Sequence, residues 1–212
     1  FLNKRFSGND DVMKSQGVAR SLKQTQNIVN DHESTKTIAL FPNLHWDVGV
    51  SELNTIFPSM FDWLCDTIEY LGNKSNVRVL LRLHPVEAVY SKQGGTSVLD
   101  LLRDRFAEMP NNLIVIPAEA PFSSYQLFPQ IDIGITYNGS IGLELLLRDI
   151  PTIIAGKAHY SCIKNACVPN TKGSYLKLLN NSLEVDKPRL EEVRLFAYFY
   201  FIKTSLPWNL TK

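Results

Sequence analysis

The chain has 212 residues, enough for one substantial core or two small ones, and its 44% hydrophobic content is ordinary for a soluble globular protein. Its 22 Lys and Arg nearly balance 21 Asp and Glu, leaving a formal net charge of +1; this excludes a global field that would draw the chain to nucleic acid or to an anionic membrane, so any bound anion needs a local site. Three cysteines, Cys65, Cys162 and Cys167, are too few for a disulfide-stapled secreted fold and suit a reducing compartment, and Cys162 and Cys167 are too sparse to read as zinc ligands.

The chain opens on Phe1-Leu2-Asn3-Lys4-Arg5, with no initiator methionine and no apolar stretch of signal-peptide length, and is read as starting at a cut end within a longer protein. Residues 1–35 are polar with scattered apolar positions (Val12, Val18, Leu22, Ile28) and predict an exposed helix or linker. From Thr37 to Phe41 a short apolar run ends at Pro42-Asn43, as expected of a buried strand entering a loop. The spacing of Phe57, Met60, Phe61, Leu64, Ile68 and Leu71 predicts a helix over 56–71 with one face on a sheet. Val77–Leu83 reads as a second buried strand that runs into His84-Pro85, and Val98, Leu101, Leu102 and Phe106 mark another helix.

The beat continues with strands at Leu113–Ile116, Ile131–Ile135 and Pro151–Ala155. Between them lie a short helix at Ser123–Phe128 and one at Ile141–Leu147, and closing helices are expected over 174–183 and 188–206. This alternation predicts an α/β fold: a Rossmann-like parallel sheet with helices on both faces and right-handed crossovers, occupying residues 36–185. Residues 186–212, rich in aromatics (Phe196, Tyr198, Phe199, Tyr200, Phe201), form a separate C-terminal helix. No apolar run is long enough to span a bilayer.

Ligands of such sheets collect at the carboxyl ends of the strands, and the chemistry-bearing residues fall there. Arg82-Leu83-His84-Pro85-Val86-Glu87 delivers a histidine, a rigid proline and a carboxylate. His84 can donate to a phosphate oxygen and offset charge on a departing nucleotide, or be a loop histidine satisfied by a backbone carbonyl. In Thr136 to Glu144 a strand ends, a turn of small residues follows and a helix begins near Ser140, the outline of a phosphate cradle. Gly139 would allow positive φ or close approach, and Ser140 would cap the helix while adding a hydroxyl. Glu144 either accepts from ribose hydroxyls or stabilises the helix dipole. The spacing fits neither a Walker loop nor a dinucleotide fingerprint. Three further clusters follow strands. Lys157 or His159, after Gly156, could meet a phosphate or a sugar carboxylate. Ser123-Ser124-Tyr125 could offer hydroxyls or cap a helix, and Asn43 to Asp47 adds His45 and Trp46.

These residues, in order, resemble the capsule polysaccharide biosynthesis proteins, which include bacterial Kdo transferases. The resemblance lies in Leu40-Phe41-Pro42-Asn43 with Trp46-Asp47, Phe61-Asp62-Trp63-Leu64, Arg82 to Glu87, Ser123-Ser124-Tyr125, and Tyr137-Asn138-Gly139-Ser140 through Gly142-Leu143-Glu144 to Pro151, Gly156 and Tyr160. The segment Phe196 to Pro207 resembles that family's C-terminal aromatic helix. The resemblance implies the C-terminal half of a GT-B glycosyltransferase. A nucleotide sugar, in the family's terms a CMP-activated Kdo or related acidic sugar, would be held by His84, Pro85, Ser123, Ser124, Tyr125, Asn138, Gly139, Ser140, Gly142, Glu144, Lys157 and Tyr160. His84 and Glu87 are the catalytic candidates. The resemblance implies no metal and no cofactor beyond the donor, a glycan or glycolipid acceptor, a missing N-terminal domain, no nucleic acid, and a cytoplasmic location. After Tyr160 the chain departs from the family, reading Ser161-Cys162-Ile163-Lys164-Asn165-Ala166-Cys167 without glycine.

Two other functions fit the same residues: a nucleotide-sugar epimerase of the same double-Rossmann plan, and a non-catalytic domain binding glycan or partner proteins in an assembly complex. The aromatic C-terminal helix reads first as packing across to the missing domain, and second as peripheral attachment at the inner face of the plasma membrane.

Overall fold

The computed structural model of the chain describes residues 35–46, 56–180 and 185–204. The expected N-terminal helix or linker, Asp47, and the ends of the two closing helices (181–183 and 205–206) lie outside them. Five strands, β1 (Lys36–Phe41), β2 (Val77–Arg82), β3 (Leu113–Ile116), β4 (Ile133–Thr136) and β5 (Thr152–Ile154), form one parallel sheet in the order β3-β2-β1-β4-β5. The Rossmann-like α/β fold is therefore present as expected.

Register decides which residues share a face. Ile38 lies opposite Val79 and Ile133, and Leu40 opposite Leu81 and Ile135, so these apolar side chains form one layer. Helices α1 (Met60–Gly72) and α3 (Val98–Arg105) cover it, together with Tyr175 and Leu179 of α5 (Lys172–Asn180). The opposite face, built from Ala39, Phe41, Leu80 and Ile116, is covered by Leu127 and Phe128 of a 3-10 helix (Ser124–Gln130) and by Leu145 of α4 (Ile141–Leu147). Burial on both faces explains why the strands read as continuous apolar runs. On the first face Trp63 Nε1–H donates to Tyr175 Oη (2.8 Å), and Thr67 Oγ1, which donates to the Trp63 carbonyl, lies 2.7 Å from the same phenol. All three side chains are fully buried.

Some boundaries differ from the sequence expectation for local reasons. Helix α1 starts at Met60, because Ser59 caps it by accepting from the Asp62 N–H (3.0 Å) and Pro58 precedes that cap. Strand β4 starts at Ile133, just after Asp132, whose N–H donates to the Thr37 carbonyl (3.0 Å) and whose carboxylate accepts from the Thr37 N–H (2.8 Å). A six-residue helix, α2 (Glu87–Lys92), follows His84-Pro85; a segment so short carries no legible periodicity. The last aromatic segment is α6 (Leu190–Tyr198) continued by a π-helical turn (Phe199–Lys203), with Val193 and Ala197 packed on Leu143 and Leu146 of α4. No helix among the described residues is long and apolar enough to cross a membrane.

Candidate functional site

The helices after β1 and β2 lie on one face, and those after β3 and β4 on the other. The chain therefore leaves the carboxyl ends of the adjacent strands β1 and β4 in opposite directions, which opens a crevice between them, the position where ligands bind in open parallel sheets. Two adjoining clefts occupy it and share Phe41, Pro42, His84, Ser140 and Ile141. The first also takes in Arg82, Pro85, Ser123, Ser124, Tyr125 and Glu144; the second takes in Asn43, Asn138, Gly139, Lys157, Ala158 and His159.

His84 stands on the boundary. Its Nδ1 accepts from the Val86 N–H at 3.2 Å, so the neutral ring carries its proton on Nε2 and can donate from that atom. Glu87 has a different position: it is 1% exposed, lines neither cleft, and one oxygen accepts from the Val98 N–H at the start of α3 (3.1 Å). Burial pushes its carboxyl up to about 7.

The wall of the first cleft is fixed by Arg82. Its buried guanidinium donates to the carbonyls of Pro117 and Phe122 and, at 3.4 Å, to Ser124 Oγ. Ser123 uses its hydroxyl as a cap, accepting from the Tyr125 N–H, while Gln126 returns a bond to the Ser123 N–H (3.2 Å). Of the two readings of Ser123-Ser124-Tyr125, capping holds for Ser123, whereas Ser124 and Tyr125 also face the cleft. Glu144, 1% exposed, forms part of the floor.

The loop between β4 and α4 is held from two sides. The Asn138 N–H donates to Asn43 Oδ1 (3.3 Å), tying it to the end of β1, and Tyr160 Oη donates to the Gly139 carbonyl (2.6 Å). Tyr160 is fully buried and lies behind the cleft; burial, reinforced by the nearby Glu144 carboxylate, raises its pKa and keeps the phenol protonated as a donor. Gly142 makes room for it, because a Cβ there would lie 2.1 Å from Tyr160 Oη and 2.7 Å from Thr136 Cγ2. Gly156 likewise lets its N–H reach the Tyr137 carbonyl at 2.7 Å.

Two local expectations fail. Gly139 does not have positive φ, and a Cβ there would make ordinary contacts at 3.4 and 3.5 Å. Ser140 is already helical in backbone (φ −60°, ψ −20°) and its side chain makes no capping bond, because a side-chain cap needs an extended backbone at that residue. The residue lines both clefts instead.

With this geometry in view, the chain can be set beside solved proteins. The Thermosulfurimonas dismutans KpsC, a beta Kdo 2,4 transferase, superposes with a TM-score of 0.52 at 13% identity, over 91% of this chain and 53% of that one. The wall teichoic acid polymerase TagF superposes with a TM-score of 0.50 at 15% identity, over 92% of this chain and 42% of that one. The likeness is one of fold. The chain spans about half the length of the solved proteins it matches. No family model matches it, and no curated protein matches it in sequence.

The structure thus brings together His84, Pro85, Ser124, Tyr125, Asn138, Gly139, Ser140, Glu144 and Lys157 along one crevice, with Ser123 at its edge, and sets Gly142 and Tyr160 behind it as supports. Reasoning from sequence put Arg82 and Asn43 in polar clusters at strand ends but assigned neither a role. The signal for Arg82 was available: a cation at the end of an otherwise apolar strand must find acceptors there. Asn43 could be placed only by knowing that β1 and β4 are neighbours. Among the described residues no group of three or more His, Cys, Asp or Glu side chains is arranged to hold a metal ion.

Proposed function

We propose that this chain is the nucleotide-sugar-binding, C-terminal half of a GT-B glycosyltransferase that builds a bacterial capsular or related surface polysaccharide in the cytoplasm. The observation that carries this reading is the pair of adjoining clefts at the switch point between β1 and β4, with His84 on their shared boundary. The donor phosphate would lie between His84 and the 138–140 loop, within reach of Lys157, and Glu144 would accept from the ribose hydroxyls. As an acceptor hydroxyl attacks the anomeric carbon, the bond from that carbon to the phosphate oxygen breaks and negative charge gathers on the leaving nucleotide. The Nε2–H of His84 and the cation of Lys157 would offset that charge without a metal ion. In this reading a second GT-B domain would supply much of the acceptor site. The resemblance in motifs favours CMP as the nucleotide and Kdo or a related acidic sugar as the transferred group.

Calorimetric titration of the chain with CMP, UDP and GDP tests this. One nucleotide is expected to bind, and both His84→Ala and Glu144→Ala to weaken it. A folded wild-type chain that binds none of the three would sink the proposal.

A further inference from the structure

Three aromatic rings connect the C-terminal helix to the second cleft. His159, exposed and lining that cleft, stacks on Tyr200 of the π-helical turn with ring centroids 4.1 Å apart and planes 15° from parallel. Phe196, one turn earlier on α6, lies nearly parallel to both, at 6.1 Å from His159 and 6.0 Å from Tyr200. Tyr160 meets the His159 ring edge-on at 5.0 Å. One face of His159 is thus occupied and one side is braced, yet the ring still borders a cleft lined both by polar residues, Asn43, Asn138, Ser140 and Lys157, and by apolar ones, Phe41, Pro42 and Ile141.

We propose that His159, backed by Tyr200, is a stacking platform for the planar heteroaromatic base of a nucleotide bound in the second cleft. A ring already fixed by a neighbour loses little freedom when a second ring is laid on it, and every nucleobase offers a π-face. Partial desolvation of the ring lowers the His159 pKa, which favours the neutral form at pH 7. Among the described residues the groups packed around it are not carboxylates: Lys157 precedes it, the buried Tyr160 stays protonated, the Cys162 thiol donates to the His159 carbonyl, and Tyr200 and Phe196 pack from the helix. The platform rests on the donor-site reading and adds to it the element that holds the base.

The test uses the whole chain and whichever of CMP, UDP or GDP the wild type binds, followed by calorimetry and by the proton shifts of the base. The base protons are expected to move upfield on binding. His159→Ala is expected to weaken binding by roughly 5- to 150-fold, the range of a lost base–aromatic stack, and to abolish the upfield shift. His159→Phe is expected to retain both, and Tyr200→Ala to weaken binding by a smaller factor. A nucleotide that binds wild type without an upfield shift, or binds His159→Ala as tightly as wild type, overturns the platform and leaves the donor site standing. A folded wild type that binds no nucleotide overturns both.

Discussion

Replacing Gly142 by alanine tests whether the loop behind the clefts is held as described. The added methyl would meet Tyr160 Oη at 2.1 Å and Thr136 Cγ2 at 2.7 Å, so the fully buried tyrosine has to move and its 2.6 Å bond to the Gly139 carbonyl is lost. Overpacking costs about 1–3 kcal/mol and leaving the buried Tyr160 hydroxyl without its acceptor about 1–3 kcal/mol, while alanine's better helix propensity returns about 1 kcal/mol, leaving a net loss of about 3 kcal/mol. Urea denaturation of Gly142→Ala beside Gly139→Ala measures it. The second variant places its methyl at ordinary contact distance and is expected to stay within about 0.5 kcal/mol of wild type. Tyr160→Phe removes the clashing oxygen, so the double variant Gly142→Ala with Tyr160→Phe should be less destabilised than the sum of the two singles. Equal stability of the two glycine variants, or strict additivity in the double variant, would refute the reasoning.

Three other outcomes are expected. Tyr175→Phe leaves the Trp63 indole N–H without its acceptor in a dry layer and should cost about 1–3 kcal/mol by chemical denaturation. Glu87 has a folded-state pKa of about 7 against an ordinary 4.5. The unfolded chain therefore loses its proton first, and stability falls as pH rises from 4.5 to 7, by on the order of 3 kcal/mol, then levels; Glu87→Gln should remove that fall when denaturation is compared at pH 5 and pH 8. Lys157 is exposed at the second cleft, so Lys157→Ala should weaken nucleotide binding at low ionic strength more than at high, as calorimetry in two salt concentrations would register.

The strands themselves, though not their order in the sheet, were legible in the sequence because most of them are buried on both faces and read as uninterrupted apolar runs, as in Ile38–Phe41 and Val79–Leu81. The edge on which polar groups gather was legible for the same reason, since His84, Asn138 and Lys157 each follow such a run. What escaped was contact between segments distant in the chain. Nothing local in Tyr160 says that its hydroxyl serves Gly139, 21 residues earlier, nor in Glu87 that it caps α3, 11 residues later. Ser140 was misread because cap propensity describes residue types, whereas capping depends on backbone angles that the preceding loop sets. The short helix α2 lacked the length to show a period.

The seating of Arg82 bears on how the crevice would behave when filled. Because this one side chain at the end of β2 holds Pro117, Phe122 and Ser124 at once, the segment bordering the first cleft travels with the sheet rather than swinging as a gate over it. A ligand arriving there meets a rim already in its final form, and little of its affinity is spent on ordering that rim. Any closing motion would then come from outside this crevice, leaving its shape, and with it the choice of ligand, set before the encounter.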